Sequence, residues 1–255
     1  MPSIFHDFGQ KIERLYFSIL RMIFILFEKL IGHFSLIGNS NILDNHQFDW
    51  VEILENNWSS IRFELDEILK YREELPNFQD ISPEQYAITQ DDRWKTYFLY
   101  GYGFKAEQNC ARCPETTSII EQIPGVTTAF FSILSPHKHI PAHRGYYKGV
   151  IRCHLGLIIP QPFFKCKIRI GNNLAFWQEG KVLLFDDTYQ HEVWNDTEEI
   201  RAVLFLDIIR PLPFPLSVIN QYLINYIANS SLVKNGIDNQ YEWDKRLEKI
   251  FAKAP

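Results

Sequence analysis

The hydrophobic pattern of the chain changes near Thr127, from helical spacing to the alternation that is typical of β-strands. From there onward apolar residues alternate with polar ones or form β-branched runs, and glycine or proline separates several of these runs. We predict strands at Thr128–Leu134, Val150–Ile159, Cys166–Ile170, Leu174–Trp177, Val182–Phe185, Glu192–Trp194 and Arg201–Ile209. Short strands with such punctuation predict a β-sandwich or jelly roll.

The segments on either side of this region show helical spacing. Apolar residues recur at helical intervals through residues 53–69, and the preceding Asp49-Trp-Val-Glu52 has the form of a capping box. Helices on both sides of the strands would cover the β-structure from outside. We also predict a strand at Trp94–Tyr100, a short helix at Glu115–Ile123, an apolar helix at Leu216–Ala228 and, after a polar loop, a charged helix near Tyr241–Lys253.

Residues 11–32 are strongly apolar, but charged residues interrupt them. Lys11, Arg14, Arg21 and Glu28 recur at three- and seven-residue steps and so lie along one stripe of a helix. The uninterrupted apolar run is far shorter than the roughly 20 residues of a membrane-spanning helix, and the segment fits a cleavable signal peptide poorly. Two interpretations stay open: a helix that lies in a membrane surface or docks a partner, and a helix packed on the domain.

The chain has 255 residues, which is enough for one domain with appendages. We divide it into an apolar amphipathic N-terminal helix and linker at 1–45, a β-domain with its leading helices at 46–213, and C-terminal helices at 214–255. An apolar fraction of 46% and an aromatic fraction of 15% provide a large core.

The net charge limits the binding partners that we expect, and the cysteine content limits the cellular compartment. A net charge of −5 gives no general attraction to nucleic acid, so no nucleic-acid partner is expected. Four cysteines in a chain of this length do not form a disulfide scaffold, which favours a reducing compartment. We therefore expect a cytoplasmic protein. If the 11–32 helix lies in a membrane surface, we expect the protein to be peripheral at the inner face of that membrane.

Two histidines on separate segments are candidate metal ligands. His143 ends a strand, and His191 lies where a later strand begins. Neutral imidazole binds iron, zinc, copper or nickel, and a 2-His-1-carboxylate site has the form His-x-Asp/Glu with a distant second histidine. Here the carboxylate position is Gly145. Taken alone, two histidines are a weak signal, because a histidine is more often a hydrogen-bonded core or surface group.

Charged residues inside apolar runs are candidate ligand contacts. Arg201 opens the run Ala-Val-Leu-Phe-Leu, so its guanidinium must either be paired with an acid or face a cavity, where it could bind a carboxylate. Arg152 and His154 are two residues apart on one strand and share a face. They could add a second polar contact, or they could face solvent on a half-exposed sheet.

Four stretches of the chain resemble the aspartyl/asparaginyl β-hydroxylase family: Pro141–Gly145, Arg152–Pro160, Trp177–Asp187 and His191–Asn195. The resemblance extends roughly from residue 94 to residue 213. It implies a mainly β protein with flanking helices, built on the double-stranded β-helix, a cupin-like jelly roll. It also implies an iron(II)- and 2-oxoglutarate-dependent dioxygenase. Members of this family lack the carboxylate ligand, and a glycine at position 145 agrees with that.

Matching positions carry the family's site onto this chain. The resemblance implies that His143 and His191 ligate iron(II) and are the catalytic centre. It implies that Arg201, helped by Ser132, holds the distal carboxylate of 2-oxoglutarate.

The same matching assigns the rest of the co-substrate pocket. Arg152 and His154 would contact the other end of 2-oxoglutarate, and Trp94 would line the pocket. The implied reaction converts O₂ and 2-oxoglutarate to succinate and CO₂ while an unactivated carbon gains a hydroxyl group.

One feature of the animal relatives does not transfer. They pair two cysteines in an oxidising lumen; Cys110 matches the first position, but the second reads Thr117. We interpret Cys110 and Cys113 as ordinary thiols rather than as a metal or redox pair.

The substrate stays open at this point. An Asp or Asn residue in a peptide or carrier-bound intermediate, a free small molecule and a lipid acyl chain all agree with the resemblance, since some bacterial relatives hydroxylate lipid A. The apolar segments 11–32 and 214–228 would suit a protein that faces a membrane. A jelly-roll binding module without enzymatic activity is the alternative from a different class.

Overall fold

The protein contains two antiparallel β-sheets that face each other. The structure is a computed structural model and describes residue 22 and residues 25–252. The strands are β1 (Trp94–Gly101), β2 (Phe104–Lys105), β3 (Val126–Leu134), β4 (Lys138–His143), β5 (Val150–Ile158), β6 (Cys166–Ile170), β7 (Asn173–Phe176), β8 (Val182–Phe185), β9 (His191–Asn195) and β10 (Arg201–Ile209). A six-stranded sheet has the order β2-β1-β3-β10-β5-β8, and a four-stranded sheet has the order β4-β9-β6-β7.

The interior between the two sheets follows from the period of two along each strand. On β10, Val203 and Phe205 point between the sheets, whereas Leu204 and Leu206 point to the outer face of the six-stranded sheet. Aromatic and branched residues from both sheets fill the interior, with Trp177 fully buried among them. The architecture is the predicted double-stranded β-helix. Because its interior is largely apolar, the polar side chains inside it are exceptions.

Helices cover the outer face of the six-stranded sheet and one end of the barrel. They are a helix at residues 25–34, named α1, and then α2 (Trp50–Asn56), α3 (Trp58–Leu69), α4 (Phe78–Ile81), α5 (Glu107–Arg112), α6 (Pro114–Glu121), α7 (Leu216–Ala228) and α8 (Ser231–Phe251). Apolar residues of α2, α3, α6 and α8 form a second large core with that sheet. Both faces of the central strands are therefore buried, which explains their nearly continuous apolar sequences.

The predicted strands are all present, but β4 was not among them. It carries Pro141, which cannot donate to a strand ladder, and only Lys138 and Ile140 are buried on it. The proline is tolerated because β4 is at the edge of its sheet. This edge strand matters because it ends at His143.

Three helix predictions were wrong in detail. Asp49 already has helical backbone angles and makes no side-chain cap, so the capping box is absent. The helix predicted through residues 53–69 is interrupted at Asn57, where φ is −108° and ψ is 9°. The charged C-terminal helix begins at Ser231 rather than after a polar loop, and Ser230 caps it by accepting a hydrogen bond from the Val233 backbone N–H.

The apolar N-terminal segment is described only in part. Residues 25–34 are helical and pack against α7, whereas residues 11–21 of the predicted helix lie outside the described residues. In the described part of the chain, no helix has the length and apolar character needed to cross a membrane. Cys110 and Cys113 are buried free thiols, in agreement with the interpretation given to them.

Glu64 in α3 fastens the helical layer to α6. It is 8% exposed, and its carboxylate accepts hydrogen bonds from the backbone N–H of Glu115 (2.9 Å) and from the backbone N–H (2.8 Å) and hydroxyl (2.6 Å) of Thr116. The carboxylate therefore satisfies donors at the start of α6 that would otherwise have no acceptor inside the protein.

Replacing Glu64 with alanine should lower the free energy of unfolding by about 2 kcal/mol, because buried donors lose a charged acceptor. Urea denaturation measures this. Glu67→Ala is the matched control: that carboxylate is exposed and pairs only with Lys70, so its loss should change stability by less than about 0.5 kcal/mol. Equal effects of the two substitutions would contradict the assigned role.

Candidate active site

The two predicted histidine ligands come together at one end of the barrel. His143 ends β4, His191 begins β9, and the antiparallel pairing of these strands places the two residues opposite each other. Their ring centroids are 4.1 Å apart. The strand register thus brings together two histidines that are almost fifty positions apart in the sequence.

Backbone carbonyls fix the orientation of both imidazoles. The Nδ1–H of His143 donates to the Pro141 carbonyl (2.8 Å), and the Nδ1–H of His191 donates to the Tyr189 carbonyl (3.1 Å). Both Nε2 atoms are then unprotonated in the neutral rings and available as ligands. Burial lowers the pKa of His143, and burial together with the neighbouring His143 lowers the pKa of His191 to about 3. The pair is therefore neutral at physiological pH.

The carboxylate of Asp187 occupies the space beside Gly145, where a 2-His-1-carboxylate site would have its acidic ligand. The backbone N–H of Gly145 donates to the Asp187 carbonyl (2.7 Å), and a Cβ placed on Gly145 would overlap the Asp187 side chain. Sequence reasoning gave Asp187 no role. The signal was present: two acids follow the buried strand β8 directly, and Asp187 is only 3% exposed.

Arg201 is inside the barrel, and no ion pair joins it to an acid within the part of the chain that the structure describes. Its side chain is 2% exposed, and its guanidinium stacks on Trp177 at 4.6 Å from the ring centroid. Nε and Nη1 have no hydrogen-bond partner among the described residues. Burial lowers its pKa to about 10, which still leaves it charged. The alternative of a structural ion pair is thus wrong, and the guanidinium is available for a buried anion.

His154 adds a donor to the same interior. The Trp177 indole N–H donates to His154 Nδ1 (3.2 Å), so a neutral ring carries its proton on Nε2, for which the described part of the chain offers no acceptor. Burial, Arg201 and Arg152 all lower its pKa well below the usual value. His154 therefore presents a neutral, unused N–H inside the barrel rather than facing solvent.

Ser132 and Trp94 are side by side at the wall of the interior. The Trp94 indole N–H donates to the Ser132 hydroxyl oxygen (3.0 Å), and both residues are buried. The Ser132 hydroxyl keeps its own hydrogen as a donor, because in this bond only its oxygen takes part. In the strand register Ser132 faces Val203, two residues from Arg201.

Arg152 is held by two acids. Its Nε donates to Asp207 Oδ1 (3.0 Å) and its Nη2 lies 2.8 Å from Asp187 Oδ2. The strand register places Asp207 directly opposite Arg152. Its contact with 2-oxoglutarate stays a prediction. Asp207 was missed, although an acid inside the apolar end of β10 is the same kind of signal that identified Arg201.

A second buried charge network fixes the loop that carries Asp187. Asp186 is fully buried and bonds to Lys148 (2.5 Å) and to Arg210 (2.6 Å). Arg210 also donates to the Lys148 backbone carbonyl (2.7 Å). Two cations on one carboxylate hold the loop between β8 and β9 in a single position, and His191 follows that loop.

The donor set suits a metal and a dicarboxylate. Two imidazole Nε2 atoms could ligate a metal, while His154 Nε2–H and the Arg201 guanidinium could bind carboxylates in the same interior. Within residue 22 and residues 25–252, no group of three or more His, Cys, Asp and Glu side chains is arranged to hold a metal ion.

Comparison with known proteins identifies the family. A model of the aspartyl/asparaginyl β-hydroxylase family matches residues 55–211. The chain belongs to the aspartyl/asparaginyl β-hydroxylase family. The matched region contains helices α3 to α6, both sheets and every residue of the site described above. The protein is thus a member of a family of hydroxylases.

Two relatives in this hydroxylase family illustrate its range. An ornithine lipid ester-linked acyl 2-hydroxylase from Rhizobium tropici is 47% identical over 227 residues, which cover 89% of this chain and 80% of that protein. The human aspartyl/asparaginyl β-hydroxylase is 34% identical over 166 residues, covering 63% of this chain but only 21% of that protein. Among solved structures, a prolyl-4-hydroxylase from Pseudomonas putida covers 60% of this chain and 88% of its own, at 17% identity and a TM-score of 0.39, too loose a likeness for any functional argument.

Replacing Asp186 with asparagine should lower the free energy of unfolding by about 3–5 kcal/mol, because Lys148 and Arg210 would remain buried without a counter-charge. Thermal or urea denaturation measures this. Asp196→Asn is the control, since Asp196 is half exposed and lies 3.5 Å from Lys167; it should cost less than about 1 kcal/mol. A stable Asp186→Asn protein would show that the network does not hold the loop.

Proposed function

We propose that this protein is an iron(II)- and 2-oxoglutarate-dependent dioxygenase that hydroxylates the acyl chain of a membrane lipid at the carbon next to the ester carbonyl. The observation that carries the first part is the buried Arg201 guanidinium, whose Nε and Nη1 have no hydrogen-bond partner among the described residues and which lies in the same barrel as the two facing imidazoles. A buried charge without a partner is costly, so its presence calls for an anionic ligand.

Each part of the site has a distinct task in this proposal. His143 and His191 would hold iron(II), leaving other coordination positions to the co-substrate and O₂. Arg201 would bind the distal carboxylate of 2-oxoglutarate, with the Ser132 hydroxyl as a second donor, and His154 Nε2–H would donate to the other end. Bound iron would supply the oxidising power, so that one oxygen atom of O₂ enters a C–H bond and the other enters succinate as CO₂ is released.

The buried walls would also control water. Trp94, Trp177 and Phe205 surround the polar donors, so the charge of the co-substrate would be bound by fixed groups instead of solvent. The pKa values of His143 and His191 are lowered, which keeps both rings in the ligating form.

The relatives support a substrate whose reacting carbon is next to a carbonyl group. The Rhizobium tropici protein is named for hydroxylation at position 2 of an ester-linked acyl chain, and the β-carbon of an aspartyl residue is also adjacent to a carboxyl carbon. The 47% identity to the lipid hydroxylase extends over 89% of this chain, more than the barrel alone. This breadth favours the lipid acyl chain.

The second candidate is an Asp or Asn residue in a peptide or carrier-bound intermediate. The 34% identity to the human enzyme favours it, but that similarity covers 63% of this chain.

Turnover assays distinguish the candidates. The iron-loaded protein is supplied with 2-oxoglutarate and O₂, and succinate and hydroxylated product are measured with ester-linked acyl lipids, with Asp-containing peptides and without substrate. We expect stoichiometric succinate and 2-hydroxyacyl product with the lipid only, and none with His191→Ala. Hydroxylated peptide alone would select the second candidate. No succinate with either substrate, together with no metal uptake, would favour a binding module.

Replacing Arg201 with alanine should weaken 2-oxoglutarate binding by about 3 kcal/mol, or roughly a hundredfold, because a desolvated carboxylate would lose its charged partner. Anaerobic titration of the iron(II) protein with 2-oxoglutarate, followed by its charge-transfer absorbance, measures the affinity. Arg93→Ala, which removes a guanidinium from the surface, is the control and should bind normally. Normal binding by Arg201→Ala would place the co-substrate elsewhere.

A further inference from the structure

Two helices from opposite ends of the chain share one small core beside the candidate site. Ile31 of α1 and Ile224 of α7 are buried in the same cluster, together with Tyr147 and Val150. The two helices thus form a single layer, although almost two hundred residues separate them in the sequence.

Both helices also carry apolar side chains that are exposed. In α1, Leu26, Leu30 and Phe34 recur at four-residue steps and are 58%, 37% and 47% exposed. In α7, the stripe of Val218, Tyr222 and Tyr226 has the same spacing and is 59%, 71% and 71% exposed. We name these six residues the α1/α7 face. Phe214, two residues before α7, and Tyr146, next to Tyr147 in the sequence, are both more than three-quarters exposed as well. An apolar patch of this kind marks an interaction surface.

The loop that follows His143 is fastened to both helices. Arg144 donates to Glu28 of α1 (3.1 Å). The Tyr147 hydroxyl donates to Asn220 of α7 (2.6 Å), and the Asn220 side-chain N–H donates to the Gly149 carbonyl (2.9 Å). Whatever covers the α1/α7 face is therefore held next to the histidine pair.

The chemistry of the α1/α7 face favours a lipid bilayer as its occupant. Helix α7 contains no charged residue, and α1 contains only Glu28 and Lys29, of which Glu28 is neutralised by Arg144. Tyrosines beside aliphatic residues are characteristic of helices at a membrane–water interface. Such helices bury their apolar face by about 5–10 Å, down to the boundary between headgroups and acyl chains.

We propose that the α1/α7 face docks this protein on a lipid membrane, so that the candidate site faces the ester-linked end of the acyl chains. The docking itself is inferred from the exposed apolar side chains of the two helices. Its role in presenting a substrate rests on the proposed function. The carbon next to an ester carbonyl lies at the headgroup boundary, the depth that interfacial helices reach. A docked enzyme would reach that carbon without removing the lipid from the bilayer.

Vesicle binding by the full chain tests this. Co-sedimentation is measured with vesicles of phosphatidylcholine, with and without phosphatidylglycerol, in the absence of iron and 2-oxoglutarate. The test variant is Val218→Glu/Tyr222→Glu, and the control is Phe63→Glu, which places a charge at an apolar position of α3 that is 67% exposed. Melting temperatures verify that both variants are folded.

We expect the unchanged protein and the Phe63→Glu control to bind vesicles of both compositions, and the double variant to bind at least tenfold more weakly. Equal binding by the double variant, or no binding by the unchanged protein, would overturn the proposal. A third result would also overturn it: the unchanged protein is a dimer in sedimentation velocity, the double substitution dissociates that dimer, and neither protein binds vesicles. The α1/α7 face would then join two copies of the chain. Succinate formation is assayed separately, so either proposal can fail while the other stands.

Discussion

The buried guanidinium of Arg201 is the constraint on which the rest of the site depends. It is enclosed by Trp177 and the apolar interior of the barrel, and two of its nitrogens have no partner within the described residues. Leaving such a group unpaired costs several kcal/mol, by order of magnitude. The large apolar cores on both faces of the six-stranded sheet provide the stability that offsets this cost.

The same fold determines how the two histidines of the candidate site are oriented. The Nδ1 atoms of His143 and His191 are bound to backbone carbonyls two residues away in sequence, so the strands themselves determine the ring orientations. Around them, Asp187 and Asp207 hold Arg152, and Asp186 holds the loop before β9. Most of the buried charge near the site is thus neutralised internally, and this makes Arg201 stand out.

Much of this could be predicted from the sequence, for identifiable reasons. Arg201 was found because a charge within an apolar strand requires an explanation, and the histidines were found because each lies at a strand end. The partners of Arg152 were missed because they depend on the register between β5 and β10 and on a loop conformation, which no local pattern encodes. A strand was expected to end at His143, but Pro141 kept its bounds from being predicted, because sequence alone does not show which strand is at the edge of a sheet.

The start of α8 shows a different limit. Residues 231–240 include Asn235, Gly236 and Asn239, residue types that are typical of loops, although the helix already begins at Ser231.

The contact between Gly145 and Asp187 restricts how the proposed metal site could change. A carboxylate ligand cannot be restored at position 145 by one substitution, because its first side-chain atom would occupy the space of the Asp187 carboxylate, which Arg152 holds in place. A return to a three-residue ligand set would require simultaneous changes at both positions, with a new partner for Arg152. Glycine at position 145 is therefore kept by its neighbour, because the Asp187 carboxylate occupies the space that any side chain there would need.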